Sequence, residues 1–254
     1  MKAYRFSAAV CSLLLAGCVT TTSGPAENKP WEPDKRADVH AELAAGYMQR
    51  NQLKVAQEEL EKALAIDPDS PRANQTMAYL QFRLGNPDKA DHFFKRAIVA
   101  NKDNAQTEHD YGDFLCRRGS YDEAVAHFDK AIRNPLYRGQ EVSMAYAGGC
   151  LLLKPDLVRA EEYLRAALAR NPKQPLALYY MADLQFRKGN YLPARGHIER
   201  LFGVAVEEPA SLLLAFKIET AMNENKAATD YAKRLREKFP NSEEAKQLAG
   251  LIQK

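Results

Sequence analysis

Alanine recurs at a nearly constant interval along most of this 254-residue chain. Each step is 34 residues except for one step of 36, and the positions are Ala56, Ala90, Ala124, Ala160, Ala194 and Ala228. A period of about 34 residues is typical of helix–turn–helix units that cannot bury their apolar faces alone and therefore stack on copies of themselves. The interval predicts an array of such units, which would act as a scaffold.

Two apolar stripes at helical spacing accompany each of these alanines. In the second unit, Met77 and Ala78 belong to the first stripe, and Phe94 and Ala97 belong to the second. Helix-breaking residues stand between the stripes at one shared offset, at Asn51, Gly85, Gly119, Pro155, Gly189 and Asn223. Each unit is thus predicted to hold two helices, which we call helix A and helix B.

This pattern resembles the tetratricopeptide repeat, and the resemblance runs through six consecutive units. The units are residues 37–70, 71–104, 105–138, 141–174, 175–208 and 209–242. The resemblance implies an all-α fold in which the helix pairs form a right-handed superhelix. A further helix over 243–254, with Ser242 as its N-cap and Leu248, Leu251 and Ile252 as its apolar face, is predicted to cap the end of the stack.

The first 17 residues differ in character from the repeats. Lys2 and Arg5 precede an apolar run that is too short to span a bilayer, since spanning takes about 20 residues. The run ends in Leu-Ala-Gly17-Cys18, which resembles the lipobox of bacterial lipoproteins. The resemblance implies a signal peptide over residues 1–17 that is cleaved between Gly17 and Cys18, so that the cysteine becomes the new N-terminus and carries lipid on its sulfur and its amine.

Val19 follows the cysteine at the position where lipoproteins retained in the inner membrane typically carry aspartate. The resemblance therefore implies sorting to the periplasmic face of the outer membrane. An ordinary signal peptide that is cut nearby is the alternative. Residues 18–36 lack a helical period and are predicted to be a flexible, lipidated tether.

Charge and motif content exclude several classes of protein. The chain has 36 basic and 33 acidic side chains, and loss of Lys2 and Arg5 with the leader leaves 36 − 2 = 34 basic against 33 acidic side chains. This balance lacks the excess of positive charge that is typical of nucleic-acid-binding proteins. None of the five histidines has a second ligand at metal-binding spacing, and no Gly-rich phosphate loop or nucleophile motif occurs. We expect no catalytic residue, no metal, no small-molecule substrate and no cofactor other than the covalent lipid on Cys18.

Three cysteines remain after the predicted cleavage, namely Cys18, Cys116 and Cys150. An oxidising periplasm would permit a disulfide between Cys116 and Cys150. However, Cys116 falls on the predicted groove face of its helix, whereas Cys150 takes an offset that holds Leu80 and Leu184 in other units. Two unpaired thiols are the favoured interpretation, and the disulfide is the alternative.

A stack of paired helices presents its A helices along a concave surface that suits extended or helical protein segments. Five positions of each unit are predicted to face this surface. The candidate contact residues among them are Ala41, Ala45, Met48, Tyr79, Phe82, Arg83, Asp113, Tyr179, Phe186 and Arg187. The predicted lining lacks the lysines and asparagines with which chaperone-docking repeats grip a terminal carboxylate, so that class of co-chaperone is excluded.

Units two and five carry nearly the same seven residues, over 80–86 and 184–190. One interpretation is a duplicated repeat that keeps a good helix ending. The other is a pair of Phe–Arg contacts that flank one bound peptide, because arginine can stack and form hydrogen bonds where phenylalanine supplies apolar area. The sequence leaves both open.

Taken together, the leader, the repeats and three short segments resemble the PilF/PilW family of type IV pilus biogenesis lipoproteins. The segments are Asn51-Gln52-Leu53, the stretch from Tyr111 to Cys116, and the fourth unit with Cys150. The resemblance implies a monomeric pilotin, anchored by its lipid, that helps the secretin subunit to reach the outer membrane and form the ring through which the pilus passes. Units one to three are expected to dock the secretin, because they lie nearest the anchor.

Two other classes of function remain as alternatives. A lipoprotein subunit of the outer-membrane β-barrel assembly machinery would be revealed by a broad loss of barrel proteins in a deletion strain. A scaffold for cell-wall enzymes would be revealed by co-purification with hydrolases or synthases. Neither alternative predicts a defect that is confined to pili.

Overall fold

The computed structural model describes residues 33–252, and this part of the chain forms thirteen α-helices and no β-strand. The helices are α1 (Pro33–Gln49), α2 (Leu53–Ile66), α3 (Pro71–Arg83), α4 (Pro87–Ala100), α5 (Ala105–Arg117), α6 (Tyr121–Arg133), α7 (Gln140–Leu153), α8 (Leu157–Arg170), α9 (Pro175–Arg187), α10 (Tyr191–Phe202), α11 (Pro209–Ala221), α12 (Asn225–Lys238) and α13 (Glu243–Ile252). Each odd-numbered helix from α1 to α11 packs against the helix that follows it, and the pairs stack in chain order. The all-α prediction is confirmed, and the six pairs are consistent with six units.

The turn inside most pairs contains a residue in the left-handed backbone region. Asn51, Gly85, Gly119, Gly189 and Asn223 have φ values between 60° and 82°. Glycine adopts this region at no steric cost, and asparagine tolerates it better than most residues do. The shared offset of helix breakers in the sequence therefore marks the chain reversal between helix A and helix B.

Small residues lie where the two helices of a pair approach each other. The six repeated alanines, from Ala56 to Ala228, are at most 5% exposed. At Gly148 there is not even room for a methyl group, since a Cβ would stand 2.6 Å from Cγ of Leu164 and 3.2 Å from the carbonyl oxygen of Ala160. The period of the sequence thus reports the points of closest helix–helix contact.

Helix α1 begins earlier than the sequence predicts. It starts at Pro33, so residues 33–36, which were assigned to the tether, belong to the helix. Proline is favourable in the first turn of a helix, because the N–H that it lacks has no intrahelical partner there.

The other end of the array closes on α13. The hydroxyl oxygen of Ser242 accepts a hydrogen bond from the backbone N–H of Ala245 at 3.1 Å, as expected for an N-cap. Leu248 is fully buried, whereas Leu251 and Ile252 are about half exposed. The capping helix therefore packs through a narrower apolar face than predicted.

Several predictions fall outside the described residues. They are the signal peptide over 1–17, the cleavage site at Gly17, the lipidated Cys18 and the tether as far as residue 32. Within residues 33–252, no helix has both the length and the apolar character needed to cross a membrane.

The junction between units three and four is covalently linked. Cys116 of α5 and Cys150 of α7 form a disulfide, with their Cα atoms 5.8 Å apart, so the favoured prediction of two unpaired thiols is wrong. Helix α7 packs mainly against α6 at this junction and approaches α5 closely only near the disulfide. Two cysteines on different faces of their own helices can therefore meet across the junction.

Candidate protein-binding grooves

The A helices of units one and two enclose a groove of about 650 Å³. Its walls include Ala45 and Met48 of α1 and Tyr79 and Arg83 of α3, which are four of the ten candidate contact residues. Polar residues form the rest of the lining together with Pro71; they are Asp38, Gln49, Arg72, Gln75 and Thr76 of the two helices and Asn101 and Asn104 of the loop after α4. The structure thus brings an apolar strip and a polar border together close to the N-terminal end of the array.

Tyr79 connects this groove to a buried polar cluster on α5. Its ring packs edge-on against Phe94, with the ring centres 5.4 Å apart. Burial, reinforced by the carboxylate of Asp110, raises the pKa of the Tyr79 hydroxyl far above its ordinary value. The phenol is therefore un-ionised, and it can act as a hydrogen-bond donor toward the groove side of α5.

Asp110 and its neighbour His109 are both buried. Asp110 accepts a hydrogen bond from Nε2 of Gln106 at 2.9 Å and another from Gln75, while Nδ1 of His109 lies 2.8 Å from the hydroxyl of Ser143. Burial raises the pKa of Asp110 and lowers the pKa of His109. Burial thus favours the uncharged form of each group.

Not every candidate contact residue lines the groove. Ala41 is fully buried in the core of the first two units, because its position on α1 faces α3, and it is therefore removed from the set. Phe82 is half-buried with its ring 5.3 Å from that of Phe114. Asp113 forms an ion pair with Arg117 one turn further along α5, at 2.9 Å.

The two arginines of the duplicated segment bond to the preceding unit. Nη1 of Arg83 donates to the carbonyl oxygen of Met48 at 2.7 Å, and Nη1 of Arg187 donates to the carbonyl oxygen of Leu152 at 2.8 Å. Both carbonyls lie near the end of an A helix, where backbone oxygens lack intrahelical partners. This geometry supports the helix-ending interpretation of the duplication.

A second and smaller cavity of about 270 Å³ lies between units five and six. Tyr179, a candidate contact residue, forms part of its wall together with Leu176 of α9 and Ala210 of α11. Sequence reasoning missed two further lining residues, Ala205 and Val206, because they belong to a loop and not to an A helix. The signal that could have found them is the run of three apolar residues, 204–206, between two helices. Phe186 lies nearby on α9, half-buried against the ring of Tyr191 at 5.7 Å.

Within residues 33–252, no group of three His, Cys, Asp or Glu side chains is arranged to hold a metal ion. The grooves of this part of the chain offer shape, apolar surface, hydrogen-bonding groups and charged side chains. They suit the binding of a protein segment.

Comparison with known proteins agrees with this geometry. Tetratricopeptide-repeat family models match residues 47–106 and 156–201. The type IV pilus assembly protein PilF of Pseudomonas aeruginosa is 29% identical over 232 residues, which cover 90% of each chain. Its solved structure superimposes with a TM-score of 0.73 at 28% identity, covering 86% of this chain and 98% of PilF. The crystal structure of PilW, described as a widely conserved type IV pilus biogenesis factor, gives a TM-score of 0.76 at 30% identity and covers 84% of this chain and 98% of PilW.

The fold and its grooves define a non-catalytic tetratricopeptide-repeat scaffold, a class of protein that works by binding other proteins. More specifically, the chain belongs to the PilF/PilW family of type IV pilus biogenesis proteins.

Proposed function

We propose that this pilus biogenesis protein is an outer-membrane lipoprotein that binds the secretin subunit of the type IV pilus system. As a monomer held by the lipid on Cys18, it promotes the localisation and multimerisation of the secretin in the outer membrane, and hence pilus assembly and twitching motility. The observation that carries this proposal is the groove of units one and two, which lies at the end of the array nearest the predicted anchor. The similarity to PilF and PilW supports the assignment to pilus assembly.

The role is physically coherent for a tethered scaffold. A secretin subunit exposes apolar β segments before its ring closes, and unpaired strand edges of that kind tend to aggregate. A groove that holds one such segment shields it, and tethering at the membrane raises the local concentration of bound subunits. Neither effect requires a nucleotide or a metal.

A single charged substitution at Ala45 tests the site. Ala45 lines the groove and is partly exposed, so the Ala45→Glu side chain fits on the folded protein but brings an unpaired charge to an apolar strip. Met48 is less suitable, because it is only 8% exposed and a charge there would test stability and not binding. We expect Ala45→Glu to weaken secretin binding about tenfold or more and to reduce secretin multimers.

Ala65→Glu is the matched control, since Ala65 is an exposed alanine on α2, away from the groove. Both variants are expected to melt at nearly the temperature of the unmodified protein. Normal multimers in an Ala45→Glu strain with normal protein levels would remove the site assignment.

The anchor is tested separately by Cys18→Ala. Without the lipid, we expect secretin multimers to form in the wrong membrane or not at all, as measured by fractionation of the two membranes. Normal outer-membrane multimers in this variant would contradict the proposed role of the lipid. Light scattering of the purified protein measures whether it is a monomer.

A further inference from the structure

A six-residue connection borders the cavity between units five and six. The loop between α10 and α11 spans residues 203–208, six residues like the loop 134–139 at the end of unit three, whereas the loops 67–70, 101–104 and 171–174 have four. The extra length carries Val206 along the rim of the cavity, and the Val206 side chain is 82% exposed. A partner that covers both this side chain and the cavity removes apolar surface from water, and this burial favours binding.

The walls of the cavity are mainly apolar. The apolar part consists of the ring of Tyr179 and the side chains of Pro175, Leu176, Leu201, Ala205, Val206 and Ala210, and the polar part consists of Glu208 and Ser211. A volume of about 270 Å³ lies just under the range of about 300–1,000 Å³ that is typical of pockets for whole small molecules. The size suits a single side chain that belongs to a larger partner.

Tyr179 also offers a polar handle at this site. Its hydroxyl makes no hydrogen bond to any other group within residues 33–252, although the ring is half-buried. Burial, followed by the nearby carboxylate of Asp183, raises the pKa of Tyr179 to about 12, and the carboxylate of Glu244 contributes in the same direction. An un-ionised phenol in this position can donate to a carbonyl oxygen of a bound peptide backbone.

One carboxylate lines the cavity, and a second acts on its tyrosine from the capping helix. Glu208 lines the cavity, and Glu244 of α13 contributes to the raised pKa of Tyr179; neither carboxylate has an ion-pair partner in the part of the chain that the structure describes. By contrast, the carboxylate of Asp183 is paired with Arg187 at 2.8 Å. An unpaired carboxylate in the lining, with a second whose field reaches Tyr179, favours a cationic neighbour in whatever occupies the cavity.

We propose that this cavity receives one apolar side chain, of the size of leucine or phenylalanine, from a protein segment that carries lysine or arginine beside that side chain. The apolar side chain fills the space between α9, α11 and the loop 203–208, and the cation lies against Glu208 and Glu244. The site is in units five and six, so it goes beyond the secretin-binding groove of units one and two and stands or falls independently of it.

Photocrosslinking with defined peptides tests the proposal. The probes are three heptapeptides. The first has a central photoreactive leucine flanked by two lysines, and the second has the same leucine flanked by two glutamates. The third has a central serine flanked by two lysines and carries the photoreactive leucine at one end. Each is irradiated with the purified full-length protein, and the labelled positions are mapped by mass spectrometry. We expect the lysine-flanked leucine probe to label residues 175–179 or 205–211 and the other two to label this region weakly.

Variants separate the contributions of shape and charge. Val206→Lys places a cation at the rim and is expected to abolish the labelling, and the change does not disturb the core because that side chain is largely in water. Val158→Lys is the matched control, since Val158 is 73% exposed on α8 and is expected to leave the labelling unchanged. Glu208→Gln combined with Glu244→Gln is expected to reduce the yield about threefold or more and to make it insensitive to salt.

Three results would overturn the proposal. They are equal labelling by the glutamate-flanked probe, labelling that maps outside these residues, and labelling that survives Val206→Lys. Labelling confined to the groove in units one and two would overturn the cavity site and would not bear on secretin binding, which the Ala45→Glu strain tests. Conversely, the expected labelling of the cavity together with normal secretin multimers in the Ala45→Glu strain would support the cavity site and reject the secretin-binding groove.

Discussion

Removal of the disulfide between units three and four is expected to destabilise the protein by about 4 kcal/mol. The bond joins Cys116 and Cys150, which are 34 residues apart. In the chain-entropy relation, cross-linking a loop of that length removes about 12–13 cal/mol/K of entropy from the unfolded chain, which corresponds to about 4 kcal/mol at 25 °C. The perturbation is the double variant Cys116→Ser with Cys150→Ser, or addition of a reductant to the unmodified protein.

The structure also predicts which units lose stability when the disulfide is removed. In a repeat array each unit contacts only its neighbours, so a weakened junction affects the two units beside it. At this junction α7 packs mainly against α6 and touches α5 only slightly, so the disulfide is a principal link between the two A helices. Hydrogen exchange is therefore expected to accelerate in α5 to α8 more than in α1 or α12.

Urea denaturation measures the magnitude. With a slope of about 2 kcal/mol/M, a loss of about 4 kcal/mol lowers the midpoint by about 2 M. The single variant Cys116→Ser is expected to match the double variant, and reductant is expected to have no further effect on either. Equal midpoints for the oxidised and reduced protein, or faster exchange spread evenly over all units, would refute the reasoning.

Three other perturbations follow from particular contacts. Gly148→Ala is expected to lower the free energy of unfolding by about 1–3 kcal/mol, because its methyl group would collide with Leu164. Gly196→Ala, where nothing lies within 4 Å, is expected to raise it by about 0.5–1 kcal/mol. Equal urea midpoints for the two variants would contradict this prediction. Arg83→Met removes a hydrogen bond to the end of α1 and is expected to cost about 1 kcal/mol, with faster hydrogen exchange there and not in α12. Burial, with two arginines nearby, lowers the pKa of His197 below 6.5. The unfolded chain therefore binds this proton more tightly than the folded protein does, and stability falls as the pH drops through about 6.5. Between pH 7.5 and 5.5 the urea midpoint of His197→Gln is expected to fall less than that of the unmodified protein.

The repeats could be predicted closely from the sequence because each unit contains its own boundary signals. Gly85 and Gly119 mark the reversal between the helices of their units, and the alanine period marks the closest contact between them. These signals act within one unit and depend on local backbone geometry. The predicted units are therefore consistent with the observed helix pairs.

What the sequence could not predict depends on how one unit is placed against the next. The disulfide between Cys116 and Cys150 joins two helix faces that a single-helix projection sets apart. Ala41 has a groove-type offset, but it is buried because α3 covers it. Val206 lies in a loop for which the repeat pattern makes no assignment.

The arginine bonds described above recur after three units of the array. The bonds from Arg83 and Arg187 occur 104 residues apart and reach equivalent carbonyls, and a second pair, from Arg96 to Pro68 and from Arg200 to Pro172, repeats at the same distance. The same two arginine clamps therefore hold unit two to unit one and unit five to unit four, and a variant at either arginine of one clamp loosens that junction alone. The junction between units three and four, which lies between the two clamped junctions, carries the cystine.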